Sequence, residues 1–340
     1  MSGFLTVSIG SGLNGTIYGD CQVPLKAFLE SRGEAFQRES LLPYLYRMEK
    51  SRHWAERYSS ETAMGDFEPV GEGGDYPKTG FEDGYFRDIV NMTFKQSFSV
   101  TQELVEDCLL GTMKQRANKL VTAYGRTREK FGRILYAGGL YGTTVSYKGK
   151  TFACGSADGQ ALFSKTHPNK VNGAKQTNLY KGTFTNTLLG KIETEMQNIK
   201  GDNGELLGVA PDTIWIPNDA ALKDAVFSAV GADKEPTSGN NAFNYQFGRW
   251  NIIVDPYLTA ALTDLGKSSE KPFFLLDSKF IELNDGPIFQ DRVPLDVKSV
   301  IDNNNDNNVW QGRARFGAGF NNWRCIAICG EGVEGTELTA

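Results

Sequence analysis

Apolar positions along the chain change period several times, and each change predicts an element. The longest regular stretch follows Ser99 and Gln102, which together read as a capping box that opens a helix. From there Val105, Leu109, Met113, Ala117, Leu120, Tyr124, Phe131 and Leu135 recur at spacings of three, four and seven, and Gly138–Gly139 supplies the stop. Uninterrupted, such a helix is about 38 residues, roughly 57 Å at 1.5 Å per residue, with Gly125 as a candidate bend. Globular helices average about 11–12 residues, so this one reads as a spine. Just before it, Phe86, Ile89, Met92, Phe94 and Phe98 alternate with polar neighbours, which predicts the returning strand of a long hairpin.

Beyond the spine, short strands and helices alternate. A helix over Asn186–Lys200 carries Leu189, Ile192, Met196 and Ile199 and stops at Gly201. Strand Thr213–Ile216 leads to a helix capped by Asn218 and ended by Gly231. After a loop over 233–246 come strands Trp250–Val254, Phe273–Leu276 and Phe280–Leu283, so residues 200–290 read as a compact α/β unit. The polar run Asp302–Asn308 precedes Val309–Phe316 and Trp323–Cys329, which read together as a closing hairpin. At the other end, residues 1–20 are rich in Gly, Ser and Thr, and Leu25–Tyr58 keeps no single apolar period. The first sixty residues therefore read as an arm that drapes over other surfaces, with Phe36, Tyr44 and Trp54 among its apolar anchors.

Charge adds a feature that periodicity does not. Residues 61–85, rich in glycine, hold seven carboxylates (Glu61, Asp66, Glu68, Glu72, Asp75, Glu82, Asp83) against Lys78 alone. A stretch like this builds no core and reads as a functional extension. The spine, between Lys114 and Arg133, holds seven bases (Lys114, Arg116, Lys119, Arg126, Arg128, Lys130, Arg133) against Glu129 alone. Charge runs of this kind are most often unrelated solvated surfaces. The sharper reading is that the acidic extension of one copy lies on the basic spine of another, setting register and partner choice.

The remaining composition excludes more than it assigns. With 340 residues, 40% hydrophobic and 23% charged, the chain has material for one or two domains. A net charge of −5 argues against a dedicated sequence-specific nucleic-acid binder. Five scattered cysteines, with Cys325 and Cys329 about 13 Å apart on an expected strand, read as reduced core thiols. Of the two histidines, His53 lies in a charged stretch and His167 in a polar loop before Pro168, and both read as structural. Gly149–Lys150–Thr151 lacks the first glycine of a phosphate loop, since Thr144 stands there, and Asp302–Asn308 lacks the glycine and glutamate of a calcium loop. No metal, cofactor or catalytic set is expected, and no stretch reaches the roughly 20 apolar residues of a membrane span.

The order of these parts resembles the major capsid proteins of tailed bacteriophages with the Hong Kong 97-type fold, an α+β fold. Local wording is similar to the Mu-like phage major head subunit family: Ala161–Pro168 (ALFSKTHP) with Gln176–Asn178 (QTN), the helix from Asn186, Val209–Pro217 (VAPDTIWIP), Asn251–Leu258 (NIIVDPYL), and Trp310–Phe316 (WQGRARF) with Asn322–Arg324 (NWR). The resemblance implies an N-terminal arm over 1–60, an extended loop over 61–97, a peripheral domain over 98–183 and 296–330 that holds the spine, an axial domain over 184–295 and a tail over 331–340. It implies a structural protein and no enzyme: a shell subunit assembling with itself as hexamers and pentamers into an icosahedral head around double-stranded DNA, held without sequence preference. Glu61, Asp66, Glu68, Glu72 and Asp75 then face a neighbour's spine bases, and Phe36, Tyr44 and Trp54 pack on adjacent subunits. Further partners implied are a portal, decoration proteins and a scaffold supplied separately, since the chain opens directly on its arm. The location implied is the virion, assembled in the host cytoplasm. An encapsulin-type bacterial compartment shares the fold and is the alternative; a soluble α/β enzyme is the alternative from another class.

Overall fold

The computed structural model describes residues 40–61, 67–78, 80, 83–101, 110–231, 243–283, 286–302 and 307–338. In chain order its elements are α1 (Leu42–Leu45), β1 (Arg47–Lys50), β2 (Ala55–Glu61), β3 (Asp83–Val90), β4 (Met92–Val100), the spine helix α2 (Leu110–Gly139), β5 (Thr144–Tyr147) and β6 (Lys150–Ala153). Next come β7 (His167–Pro168), β8 (Lys175–Gln176), β9 (Leu179–Lys181), α3 (Asn186–Gln197), β10 (Thr213–Pro217), α4 (Ala220–Val230), β11 (Asn251–Asp255), α5 (Pro256–Asp264), β12 (Phe273–Leu276) and α6 (Ser278–Leu283). The long strands β13 (Pro287–Asp302) and β14 (Asn307–Phe320) follow, then β15 (Ile326–Gly330) and β16 (Thr336–Glu337).

The spine sits between two sheets. One is four-stranded, in the order β1-β13-β14-β4, and the other six-stranded, in the order β11-β10-β12-β15-β9-β16. At 30 described residues the spine spans about 45 Å and runs through Gly125 unbroken. Ala117, Leu120, Tyr124, Phe131 and Leu135 are buried, as their spacing requires; the expected earlier turns, Val105 and Leu109, lie outside the described residues, as does the side chain of Met113. Ser99 belongs to β4, and its carbonyl accepts from Arg116 Nη1 at 2.8 Å; Gln102, its expected capping partner, lies outside the described residues.

Strand alternation explains the Trp310–Phe316 wording. Trp310, Gly312, Ala314 and Phe316 face the spine and are buried, while Gln311, Arg313 and Arg315 face away. A Cβ on Gly312 would lie 3.3 Å from Leu120 Cδ2 and 3.3 Å from Leu295 Cδ1, so the spine crosses where the sheet is thinnest. Further along, Phe131 packs edge-on against Phe94 and Phe316, and Tyr46 against Tyr136 and Phe289. Each such ring contributes about 1.5–3 kcal/mol by burial.

Several expected elements differ. Residues 86–98 are two strands: β3 pairs with β2, then Asn91 breaks the run by donating to Ser51 Oγ and the His53 carbonyl, and β4 joins β14. No closing hairpin links Val309–Phe316 to Trp323–Cys329, because β14 pairs with β13 and β15 enters the six-stranded sheet between β12 and β9. Residues 326–330 thus share the six-stranded sheet with β10, β11 and β12. Phe280–Leu283 is helical, because Asp277 Oδ1 accepts from the Phe280 amide and caps the turn. Asp219, not Asn218, caps α4, and Asp255 caps the unforeseen α5, which opens on Pro256. Within the expected arm, Leu42, Leu45 and Tyr46 are core residues of their own subunit, and β1 pairs in parallel with β13.

Candidate subunit interface

The β2–β3 hairpin is a stiff stalk. Arg57 grips Asp88 with two bonds of 2.7 and 2.8 Å and lies over the Phe86 ring. At its loop-bearing end, Lys170 Nζ donates to the Asp83 and Gly84 carbonyls, and Tyr85 Oη donates to the Pro168 carbonyl. Beyond the stalk, residues 67–78 are exposed throughout, including Glu68, Glu72 and Asp75. Phe67 is 99% and Tyr76 92% accessible, so two aromatic rings stand among the carboxylates with no cover in their own subunit. Asp66 and the Glu61 side chain lie outside the described residues.

The expected basic face of the spine is corrected at two positions. Arg133 is wholly buried: Nε donates to Asp255 Oδ2 at 2.6 Å and Nη1 pairs with Glu129 Oε2 at 2.5 Å. Arg128 is 5% exposed, paired with Asp291 at 2.7 Å and laid over the Phe289 ring. Both fall where the spine is enclosed by the two sheets, so they hold the subunit together and reach no neighbour. Lys119 and Arg126 are exposed, Lys130 and Arg116 half-buried, and the Lys114 side chain lies outside the described residues.

The bases that stay outside border a groove of about 940 Å³ between the spine, β4 and the β5–β6 hairpin. Phe94, Leu120, Tyr124, Phe152 and Phe316 line it, with Arg126, Lys130, Lys148 and Lys150 alongside and Asp264 as the one carboxylate. Lys148–Gly149 is the two-residue turn between β5 and β6, with φ of 50° and 76°. Lys148 holds a left-handed backbone that favours Asn or Gly, a strained position of the kind found at functional sites. The Gly149–Lys150 pair that resembled part of a phosphate loop is the end of this turn and the first residue of β6. No sequence signal marked Lys148 or Lys150 as neighbours of the spine bases; only the fold brings them there. Of the arm anchors, Tyr44 and Trp54 are exposed at 54% and 66%, and Phe36 lies outside the described residues.

The histidine and asparagine of the Ala161–Asn178 wording form a buried knot. His167 stacks on Trp323 at 4.1 Å, with Nδ1 2.6 Å from Asp158 and Nε2 3.2 Å from Asn178. Asn178 in turn donates to the Leu162 and Ile326 carbonyls, and Arg324 pairs with Asp202. His167 is thus a core residue rather than part of an open loop. Cys154, Cys325 and Cys329 are free and buried; burial pushes the thiols of Cys154 and Cys329 up to about 12, which makes them inert. Cys21 and Cys108 lie outside the described residues.

The comparisons with known proteins agree with this architecture. No curated relative matches the chain in sequence. Among solved structures it is similar to the capsid of cyanophage P-SCSP1u, with a TM-score of 0.51 and 8% identity over 88% of this chain and 89% of that one. It is also similar to a Mycobacterium phage Patience structure, with a TM-score of 0.53 and 11% identity over 96% of this chain and 92% of that one. At such identity the likeness is one of fold, the Hong Kong 97-type α+β fold. The family model for phage capsid protein matches residues 91–329, which takes in the spine, both sheets and the long ribbon, and this chain is therefore a member of the phage capsid protein family.

Proposed function

We propose that the chain is a major head subunit of a tailed phage, forming hexamers and pentamers that close into an icosahedral shell around double-stranded DNA. A portal, a separate scaffold and decoration proteins are its further partners, with assembly in the host cytoplasm. In this reading it is a structural protein without catalytic work of its own. The carrying observation is the extended loop: Phe67 and Tyr76 stand uncovered among Glu68, Glu72 and Asp75. A monomer gains nothing from exposing such rings, whereas an apolar groove with basic neighbours complements both their surface and their charge. The loop of one subunit accordingly seats on the groove of the next, its rings against Phe94 and Phe152 and its carboxylates toward Arg126, Lys130, Lys148 and Lys150. Exposed ion pairs contribute only about 0–1 kcal/mol each, so the rings anchor and the charges set register. Tyr44 and Trp54 pack on adjacent subunits.

The test is size-exclusion chromatography followed by electron microscopy of the recombinant protein with and without Phe67→Ser/Tyr76→Ser. Shells or capsomers from the unaltered chain and none from the variant are expected. Normal particles from the variant would remove the loop from the interface.

A further inference from the structure

The four-stranded sheet has a second face that the spine does not cover. Because Trp310, Gly312, Ala314 and Phe316 point into the core, Gln311, Arg313 and Arg315 point away from it. The register places Lys95 and Asp296 on either side of Arg313, and Ser97 and Lys298 on either side of Gln311. Arg292 joins them from the irregular stretch of β13 between Asp291 and Val293. Five cations and one carboxylate thus share one side of a sheet, in a chain whose net charge is −5.

Like charges opposite each other on adjacent strands repel, and Lys95 stands directly opposite Arg313. Lost hydration first, then Arg292 and Arg313 nearby, draw the Arg315 guanidinium down from its ordinary value. The Nε of Arg315 is buried without a hydrogen-bond partner. None of the five cations forms an ion pair with another described residue. An anion from outside the subunit relieves this repulsion.

The rest of the face says which anion. Its rows through Lys95 and Ser97 form a shallow trough of about 530 Å³ and carry no aliphatic or aromatic side chain, only hydroxyl, amide and charged groups. Those are the groups that contact phosphate oxygens. The acidic loop of a neighbour, with its two exposed rings, finds no seat here; its complement is the groove on the other side of the sheet. Arg313 and Arg315 are about 6.8 Å apart along the strand, an open comb of charge and not a pocket for a small ligand.

We propose that this face holds the phosphate backbone of double-stranded nucleic acid without reading its sequence. The inference rests on the shell reading, in which it makes this face the lumenal one. An acidic subunit with one basic strip on this face would touch the genome lightly and locally.

The test is fluorescence anisotropy of a labelled duplex of about 20 base pairs with the full-length chain, between about 50 and 200 mM salt. Five contacts give a log–log salt slope of about −4.5, the same for unrelated sequences. Arg313→Glu/Arg315→Glu should weaken binding at least tenfold and flatten the slope by about 1.8, and Arg313→Gln/Arg315→Gln by the same slope change with less risk to folding, checked by circular dichroism. Lys223→Glu/Lys279→Glu, away from this sheet and from the groove, should leave duplex binding unchanged. Equal binding by the Arg313/Arg315 variants and the unaltered chain overturns the proposal. If duplex binding persists but shells no longer close in the glutamine variant, the face belongs to a second subunit and the proposal also falls. Should the unaltered chain form no shell while the duplex results hold, the shell reading fails and the nucleic-acid face stands.

Discussion

Replacing Arg133 by Met separates the two roles that its charge suggests. The guanidinium neutralises two carboxylates, Asp255 at 2.6 Å and Glu129 at 2.5 Å, whose side chains are 0% and 6% exposed. Methionine follows the aliphatic stem, so the cavity left is small and the main cost is two buried carboxylates without a counter-ion. Removing one partner of a buried ion pair costs about 3–5 kcal/mol. Asp255 keeps hydrogen bonds from Trp215 Nε1 at 3.2 Å and the Tyr257 amide at 2.8 Å, which places the loss near the lower end, about 3 kcal/mol. In a chain of this size about 2 °C of melting temperature goes with each kcal/mol, so a fall of about 6 °C is expected. Urea unfolding of the unassembled chain, followed by circular dichroism, reads the loss directly. A triple variant, Arg133→Met/Asp255→Asn/Glu129→Gln, should recover part of it, since no buried charge then remains. A single variant with the unaltered urea midpoint but no shell assembly would refute the reasoning and return Arg133 to the subunit interface.

Four further outcomes follow from the same geometry. Glu68→Lys/Glu72→Lys/Asp75→Lys should abolish shell closure in electron microscopy and leave the monomer's unfolding midpoint unchanged; normal particles count against the loop's charge. Gly138→Ala should destabilise by about 1–3 kcal/mol despite alanine's better helix propensity, because the new Cβ meets Val145 Cβ at 2.5 Å, and a stabilised variant would deny that contact. Lys148→Asn should raise the melting temperature slightly by relieving the left-handed turn yet slow assembly at low salt, read by light scattering; a faster-assembling variant argues against Lys148 as a seat for the acidic loop. Cys154 and Cys329 should resist thiol reagents at neutral pH until the chain is denatured. Their folded thiols titrate near 12, above the unfolded value, so the stability they contribute is intact below about pH 9 and lost as pH rises toward 12; Cys154→Ala should fall less across that window.

What sequence made legible was local. The spine announced itself because Ala117 to Leu135 keep one period over five turns, and α3, β10 and β12 were bounded by apolar runs and glycines. What it could not show was pairing. Trp310–Phe316 and Ile326–Cys329 both lie in strands, but nothing in either says that one joins β13 and the other β12 and β9, since register is settled by long-range burial. Short segments failed for the opposite reason: Phe280–Leu283 is a short, mostly apolar run that reads as a strand, and one cap from Asp277 makes it helical. At the candidate interface the acids were readable as a run, whereas the bases were not. Arg128 and Arg133 look like Arg126 and Lys130 in sequence, and only the enclosure of the spine between two sheets distinguishes a core ion pair from a surface charge. Lys148 and Lys150 reach the groove through a hairpin turn, and Arg313 and Arg315 were hidden inside wording read for its resemblance.

β13 and β14 also settle how the subunit carries load. Together they run from Pro287 and Phe320, beside the buried rings of Tyr46 and Phe289, out to Asp302 and Asn307 at the ribbon's far end. An outward load on a closed shell would pull its subunits apart in the plane of the wall. Tension along this ribbon stresses its ladder of hydrogen bonds in shear, so the rungs resist together, whereas a pull across it would open them one at a time like a zip. The irregular stretch between Asp291 and Asp296 interrupts that ladder, and it is there that the ribbon would bend before it broke.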